Sequence, residues 1–225
     1  MDSLGAIQKL AVMFPPFFIA IIFHEFAHGW IASRFGDDTA KHSGRLTLNP
    51  VPHVDIVGTL VLPAIMMSTG SGILFGWAKP VPINPSRFSH YRKGLFWVSF
   101  AGPLMNFFLG LLSAFAFVLI NRFVPSSFYL SEPLKWMTSV SVYLNFGLGF
   151  FNLLPLPPLA GSKIIESFLS YDATQKFEQL GNYSFFILMA LIMTNALSFL
   201  MYPIQFCAQF SLGIAYALVG GTGIF

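Results

Sequence analysis

Charged residues are scarce in this sequence: Asp, Glu, Lys and Arg make up 9% of its 225 residues, against 55% hydrophobic residues. Because a water-soluble domain carries roughly a quarter of charged residues, this composition excludes a soluble globular protein and predicts the lipid bilayer as the solvent. Cys207 is the sole cysteine, so an intramolecular disulfide is excluded. The first apolar stretch lacks a basic leader and a small-residue cleavage site, and we therefore expect no cleavable signal peptide.

Five apolar runs are long enough to cross a hydrocarbon layer of roughly 30 Å, which needs about 20 helical residues. They cover residues 10–32, 95–121, 138–156, 183–201 and 204–220. A sixth run, 56–67, is shorter and could either span the membrane or only re-enter it. The pattern predicts an all-α polytopic membrane protein with five or six transmembrane helices. Since the loops are too short to fold independently, we expect one domain over residues 1–225.

The positive charges favour one topology. If the five long runs span and 56–67 only dips in, nine of the 12 Lys and Arg residues lie on one side and three on the other. If 56–67 spans fully, the split is five against seven. Positive loops usually face the cytoplasm, so we expect the first topology, with the N-terminus outside and loops 33–55, 79–93 and 157–182 inside. The net charge of +3 then needs no nucleic-acid partner.

Residues 72–84, GILFGWAKPVPIN, interrupt the helical pattern. Pro80 and Pro82 cannot lie inside a regular helix, and their alternation with Val81 and Ile83 predicts an extended or hairpin element. Such backbone at membrane depth must be buried in protein or line a wet cavity. Its open edge could receive another extended chain by strand addition. An ordinary interfacial loop is the alternative interpretation.

The first apolar run contains His24-Glu25-Phe26-Ala27-His28. Histidines four residues apart lie on one helix face and can chelate one metal ion, and Glu25 beside them can accept a proton from metal-bound water. Zinc lowers the pKa of that water towards about 7. Ionisable residues inside an apolar run are costly and usually functional. A structural polar cluster and an ion or proton pathway are the alternatives, although a pathway would need acidic residues in other spans, where the sequence has none.

A second polar group lies near the end of the third long run, in the stretch Phe151 to Gly161. Asn152 puts an amide in the last helical turns. Prolines at 155, 157 and 158 then end the helix and create irregular backbone. The predicted topology brings Asn152 and His28 towards the cytoplasmic ends of their helices, so the two could meet at the same depth.

Together these motifs resemble the site-2 protease family of intramembrane metalloproteases, and within it the short bacterial members without a PDZ domain. The resemblance runs from about Leu10 to Ile165 in the family's order and spacing. The matching stretches are HEFAH at 24–28, GRLTLNP at 44–50, FGWAKPVPIN at 75–84, AGPLMN at 101–106 and NLLPLPPLAG at 152–161.

The resemblance implies a multi-pass protein of the bacterial cell membrane that cleaves transmembrane segments of membrane-protein substrates near the cytoplasmic face. It implies one zinc ion per chain held by His24, His28 and an aspartate, with Glu25 as general base. The amide of Asn152 would position or stabilise the reacting oxygen, and segment 72–84 would contact the substrate. The implied core helices are 10–32, 95–121 and 138–156, and 183–201 and 204–220 are additional.

One position departs from the family: the aspartate of its Leu-Asp-Gly motif is Ala160 here. Catalytic zinc usually has three protein ligands, so we expect weak zinc binding and impaired cleavage. The nearest carboxylates in sequence that could replace the missing ligand are Asp55 and Glu166. His53 and Asp55 could also line the site. The intact motif around Ala160 favours inactivation or recent loss. The alternative is a natural pseudoprotease that binds transmembrane segments without cutting them.

Overall fold

The computed structural model describes residues 5–68 and 76–220, and within these ranges it is helical and contains no β-strand. The prediction of an all-α fold is therefore confirmed. The α-helices are α1 (Ala6–Arg34), α2 (Thr39–His42), α3 (Leu62–Ser68), α4 (Tyr91–Phe123), α5 (Ser131–Asn152), α6 (Ala160–Glu166), α7 (Tyr171–Gln179), α8 (Ser184–Met193) and α9 (Met201–Val219). Short 3₁₀ turns lie at Val51–His53, Pro85–Arg87, Leu180–Tyr183 and Ala196–Leu200, and a π-helical turn lies at Ile56–Val61.

Three helical stretches in the described ranges are long and apolar enough to cross a membrane: Gln8–Arg34, Tyr91–Phe123 and Ala196–Val219. The chain is accordingly a membrane protein, while the number of five or six spans stays a prediction. The apolar run 183–201 does not form one helix. Helix α8 has 10 residues, about 15 Å, and ends before Asn195, whose φ of 54° is left-handed. Pro203 lies instead in the first turn of α9, where its missing N–H breaks no helical bond.

The run 56–67 forms the π-helical turn of six residues followed by α3 of seven. At 1.5 Å per residue these reach about 20 Å, less than a hydrocarbon layer of roughly 30 Å. Asp55 caps this element, because its carboxylate accepts the Gly58 N–H at 2.7 Å. How deeply the element enters the membrane stays a prediction.

Helices α1, α4 and α5 pack against one another, and α9 covers α4 and α5. Small buried residues at these contacts let the helices approach closely, as is common in membrane proteins. Ala20 on α1, Ala114 on α4 and Ala208 on α9 are all fully buried. Phe146 on α5 packs beside Ala114 and Ala208. The helix that carries the His-Glu motif is therefore held against both α4 and α5.

Buried Asp37 ties the end of α1 to the segment that follows Val81. Its carboxylate accepts bonds from the N–H and hydroxyl of Thr39 and from the Asn84 N–H at 2.6 Å. Burial alone raises the pKa of Asp37, but these hydrogen bonds and the nearby charge of Arg87 outweigh it and leave the pKa below its usual value. The ionised carboxylate therefore fixes the C-terminal end of the non-helical segment 76–84.

Candidate metal centre

His24 and His28 lie one turn apart on α1 and point their Nε2 atoms at each other. The two Nε2 atoms are 3.0 Å apart, and the rings meet edge to face with centroids separated by 4.7 Å. His24 is buried and His28 is partly buried. The spacing of four residues along a helix accounts for this convergence.

The Nδ1 atom of each ring faces a hydrogen-bond acceptor. His28 Nδ1 lies 2.6 Å from the Val98 carbonyl oxygen, which can only accept, so Nδ1 carries the proton. His24 Nδ1 lies 2.5 Å from Asn106 Oδ1, while the Asn106 amide nitrogen donates to the Ala20 carbonyl at 3.2 Å. Both imidazoles then present unprotonated Nε2 atoms, the form in which histidine binds a metal.

These two histidines fit a zinc ion as half of its ligand set. Two unprotonated nitrogens repel each other at 3.0 Å unless a cation lies between them. Zn–N bonds of about 2.0–2.1 Å in tetrahedral geometry put two ligand nitrogens about 3.3 Å apart, close to the observed spacing. Gly102 on α4 keeps this space open, since a Cβ atom there would lie 2.4 Å from His28 Nε2 and 2.6 Å from His24 Nε2.

Glu25 contacts the backbone of the non-helical segment 76–84. Its Oε2 atom accepts the Val81 N–H at 2.8 Å. Two residues earlier the Lys79 N–H donates to the His53 carbonyl at 2.9 Å, and two residues before that the Trp77 N–H donates to the Gly58 carbonyl at 3.1 Å. Alternate N–H groups of this non-helical segment therefore bond to the rest of the protein. Positions 72–75 of the predicted element lie outside the described residues.

Asn152 and Ala160 lie at the two ends of the proline-rich loop. Asn152 is the last residue of α5, and its amide donates to the Leu148 carbonyl one turn earlier at 2.9 Å. Ala160 is the first residue of α6, which packs on α4, the helix that carries Gly102. The structure thus unites His24 with His28, whereas the described hydrogen bonds of Asn152 remain within its own helix.

The carboxylates considered as substitute ligands have other partners. Asp55 caps the element that begins at Ile56, and buried Glu166 accepts from Lys163 Nζ at 2.8 Å. His53, also buried, has its Nε2 atom 2.8 Å from the Thr47 carbonyl oxygen. Over residues 5–68 and 76–220, no group of three His, Cys, Asp or Glu side chains could together hold a metal. Among the described residues, the candidate ligands that the structure brings together are therefore the two histidines.

Sequence reasoning missed the contribution of α4 and α5. Gly102 and Asn106 belong to the matched stretch AGPLMN but received no role, and Asn145 was not considered. Asn145 is fully buried, and its Oδ1 accepts from Asn106 Nδ2 at 3.0 Å. An asparagine inside the apolar run 138–156 is a signal that could have identified it, because polar groups at membrane depth are expensive.

Comparison with known proteins agrees with this geometry. The chain is 38% identical over 186 residues, 82% of its length and 81% of the relative's, to a Bacillus subtilis protein named "Putative zinc metalloprotease YwhC". It is 28% identical to Rip2 of Mycolicibacterium smegmatis, a protein of the same description, over 80% of this chain and 66% of Rip2. No family model and no solved structure matches it.

A third relative is the zinc metalloprotease MJ0392 of Methanocaldococcus jannaschii, 26% identical over 71% of this chain and 35% of that protein. The relatives are thus named for one chemistry, the hydrolysis of peptide bonds with zinc. The chain belongs to the site-2 protease-like family of zinc metalloproteases.

Proposed function

We propose that this chain is an intramembrane zinc metalloprotease that cleaves transmembrane segments of membrane-protein substrates near the cytoplasmic face of a bacterial cell membrane. The observation that carries the proposal is the pair of Nε2 atoms 3.0 Å apart on α1, beneath Gly102. Family membership supports peptide-bond hydrolysis, and the length and hydropathy of α1 support a site at membrane depth. When bound, zinc would supply a Lewis acid and lower the pKa of water.

His24 and His28 hold the metal in this proposal, and Glu25 acts as general base. The Val81 N–H engages Oε2 of Glu25 and so orients the carboxylate, leaving its other oxygen to accept a proton from water. Asn152 is the proposed donor to the oxygen of the reacting carbonyl. For that role its amide must exchange the Leu148 carbonyl for the substrate.

The substrate is held, in our proposal, by the extended segment 72–84. A transmembrane helix has all its backbone groups bonded internally, so it must unwind locally before a protease can reach a carbonyl. An extended edge can stabilise the unwound stretch by strand addition. The bonds from alternate N–H groups to Gly58, His53 and Glu25 support this role, since they attach the segment firmly beside the histidine pair.

Because Ala160 stands where the family has an aspartate, we expect zinc to bind weakly and cleavage to be impaired. Two imidazoles leave the metal one protein ligand short of the usual catalytic set. Restoring a carboxylate tests this directly. We expect the Ala160→Asp variant to raise zinc occupancy and to cleave a reporter transmembrane substrate in liposomes, and Ala160→Asn, which adds a similar volume without charge, to do so far less.

Adding Glu25→Gln to the Ala160→Asp variant separates metal binding from catalysis. This double variant should keep its zinc and lose cleavage, because the amide cannot accept the proton. A folded Ala160→Asp protein that gains no zinc would show that the chain is not a protease lacking one ligand. A gain in zinc without cleavage would indicate a protein that binds transmembrane segments only.

A further inference from the structure

A row of buried polar side chains leads from the candidate metal centre into the interface of α4 and α5. Asn106 Oδ1 faces His24, and Asn106 Nδ2 donates to Asn145 Oδ1 at 3.0 Å. Asn145 Nδ2 then bonds Ser141, whose hydroxyl is 2.7 Å from that of Ser113. Both asparagines are fully buried. Such a row in an apolar interface is costly unless each member is satisfied.

The direction of each hydrogen bond follows from carbonyl groups, which can only accept. The Ser141 carbonyl lies 2.9 Å from the Asn145 amide and must receive its N–H, so the Nδ2 side of Asn145 faces Ser141. Its Oδ1 side therefore faces Asn106 and requires a donor there. Asn106 Nδ2 meets that requirement and also donates to the Ala20 carbonyl at 3.2 Å. The remaining acceptor, Asn106 Oδ1, is left for His24 Nδ1.

We propose that Asn145 is a positioning residue that, through Asn106, places the ring proton of His24 on Nδ1 and leaves Nε2 free to bind the metal. An Asn106 amide turned over would set its N–H groups against the protonated Nδ1 of His24 and the imidazole would change tautomer. Asn145, together with the Ala20 carbonyl, opposes that turn, because each offers Asn106 an oxygen that can only accept; the Asn145 bond is the shorter of the two, at 3.0 Å against 3.2 Å. Water is scarce at membrane depth, so a lost partner is not readily replaced.

The use of Nε2 for zinc rests on the proposed function, but the tautomer does not, and it can be measured without metal or substrate. Nitrogen-15 histidine spectra of the metal-free chain in micelles distinguish the two tautomers, and a His24→Gln sample assigns the signals. We expect Nδ1–H to predominate in the unchanged chain, against the repulsion between the two Nε2 atoms of the metal-free pair, and the Nε2–H fraction to rise clearly in Asn145→Ala. Asn145→Asp should keep the Nδ1–H form, because its carboxyl still accepts from Asn106 although the bonds to Ser141 are lost.

Asn121→Ala is the matched control. Asn121 lies on α4, is exposed and donates to the Phe117 carbonyl at 2.9 Å, away from this row. Its loss should leave His24 unchanged. In the Ala160→Asp background, Asn145→Ala should also weaken zinc binding by about tenfold or more, the usual effect of losing a group that orients a metal-bound histidine.

Two results would overturn the proposal. One is an unchanged His24 tautomer in folded Asn145→Ala. The other is a shift in Asn145→Asp as large as that in Asn145→Ala, which would mean that Asn145 acts only by holding α5 through Ser141. If Asn145→Ala does not fold, Asn145→Leu, which has nearly the same shape and no acceptor, takes its place. If the tautomers change as expected but Ala160→Asp gains no zinc, the proposed protease function is refuted and this inference stands.

Discussion

Gly102→Ala adds one methyl group between the two candidate zinc ligands. The new Cβ atom would lie 2.4 Å from His28 Nε2 and 2.6 Å from His24 Nε2. Non-bonded heavy atoms settle at about 3.5–4.0 Å, so the methyl group overlaps each ligand atom by about 1 Å. Neither ring can move freely, because Asn106 holds His24 and the Val98 carbonyl holds His28.

We expect the effect on metal binding to be large and the effect on folding to be moderate. Overpacking a well-packed interior costs about 1–3 kcal/mol. Replacing a helical glycine by alanine returns about 0.5–1 kcal/mol of helix stability. Zinc binding would have no such compensation, since the methyl group would occupy space beside both Nε2 atoms, where His24 and His28 would hold the ion. Zinc occupancy of Ala160→Asp should therefore fall to background when Gly102→Ala is added.

Zinc content of the purified protein, measured together with its unfolding temperature in one detergent, tests this expectation. Gly147→Ala is the matched control. A Cβ at that helical glycine would lie 3.9 Å from Ile204, an ordinary contact, so zinc should be unaffected. If folded Gly102→Ala retained as much zinc as its parent, the ion would not lie between the two Nε2 atoms.

Three further predictions concern Asp37, Val81 and the membrane topology. Asp37→Asn should lower the free energy of unfolding by about 2 kcal/mol at pH 7, the contribution of hydrogen bonds to a charged group. Because the folded pKa of Asp37 is depressed, this stability is present above pH ~4 and disappears as the pH falls below it. Val81→Pro, which removes the N–H that Glu25 accepts, should destabilise by about 1–3 kcal/mol more than Val81→Ala, as judged by thermal unfolding. Reporter fusions at Lys93 and Lys176 should both report the cytoplasm.

Each of these outcomes has a contrary result. Asp172 is an exposed acidic residue, so Asp172→Asn should leave the pH dependence of unfolding unchanged. An equal effect of Asp172→Asn would show that the pH dependence does not come from the hydrogen bonds of Asp37. Proline keeps more side-chain carbon at this buried position than alanine does, so equal stabilities of the two Val81 variants would show that the N–H bond contributes little. Fusions on opposite sides of the membrane would mean that the run 56–67 spans fully.

Apolar runs located the long helices but not their ends. The run 10–32 lies within α1, Ala6–Arg34, and 95–121 lies within α4, Tyr91–Phe123. Hydropathy misses the polar turns at helix ends, which continue the same backbone bonds. The run 138–156 is displaced from α5, Ser131–Asn152, since leucines beyond Asn152 are apolar but the prolines among them exclude a helix.

The histidine pair could be predicted because it depends on helix periodicity alone. Its partners could not. Asn106 is 82 residues from His24, and Asn145 is another 39 residues along the chain. Their meeting depends on how α1, α4 and α5 pack, which periodicity does not determine. The break between the last two apolar runs was predicted at 202–203, but the structure has it at Asn195, which adopts a left-handed backbone that hydropathy does not report.

The two prolines of the non-helical segment 76–84 also bear on whether copies of this protein could pair through it. Neighbouring residues of an extended chain direct their N–H groups to opposite sides, and the side of Trp77, Lys79 and Val81 faces the protein. The opposite side carries Pro80 and Pro82, which have no N–H to give. Two such edges laid together would have few N–H groups to exchange, so edge-to-edge pairing is disfavoured. In the proposed function a substrate strand would bring its own N–H groups, so the two prolines would disfavour pairing between copies more than pairing with a substrate.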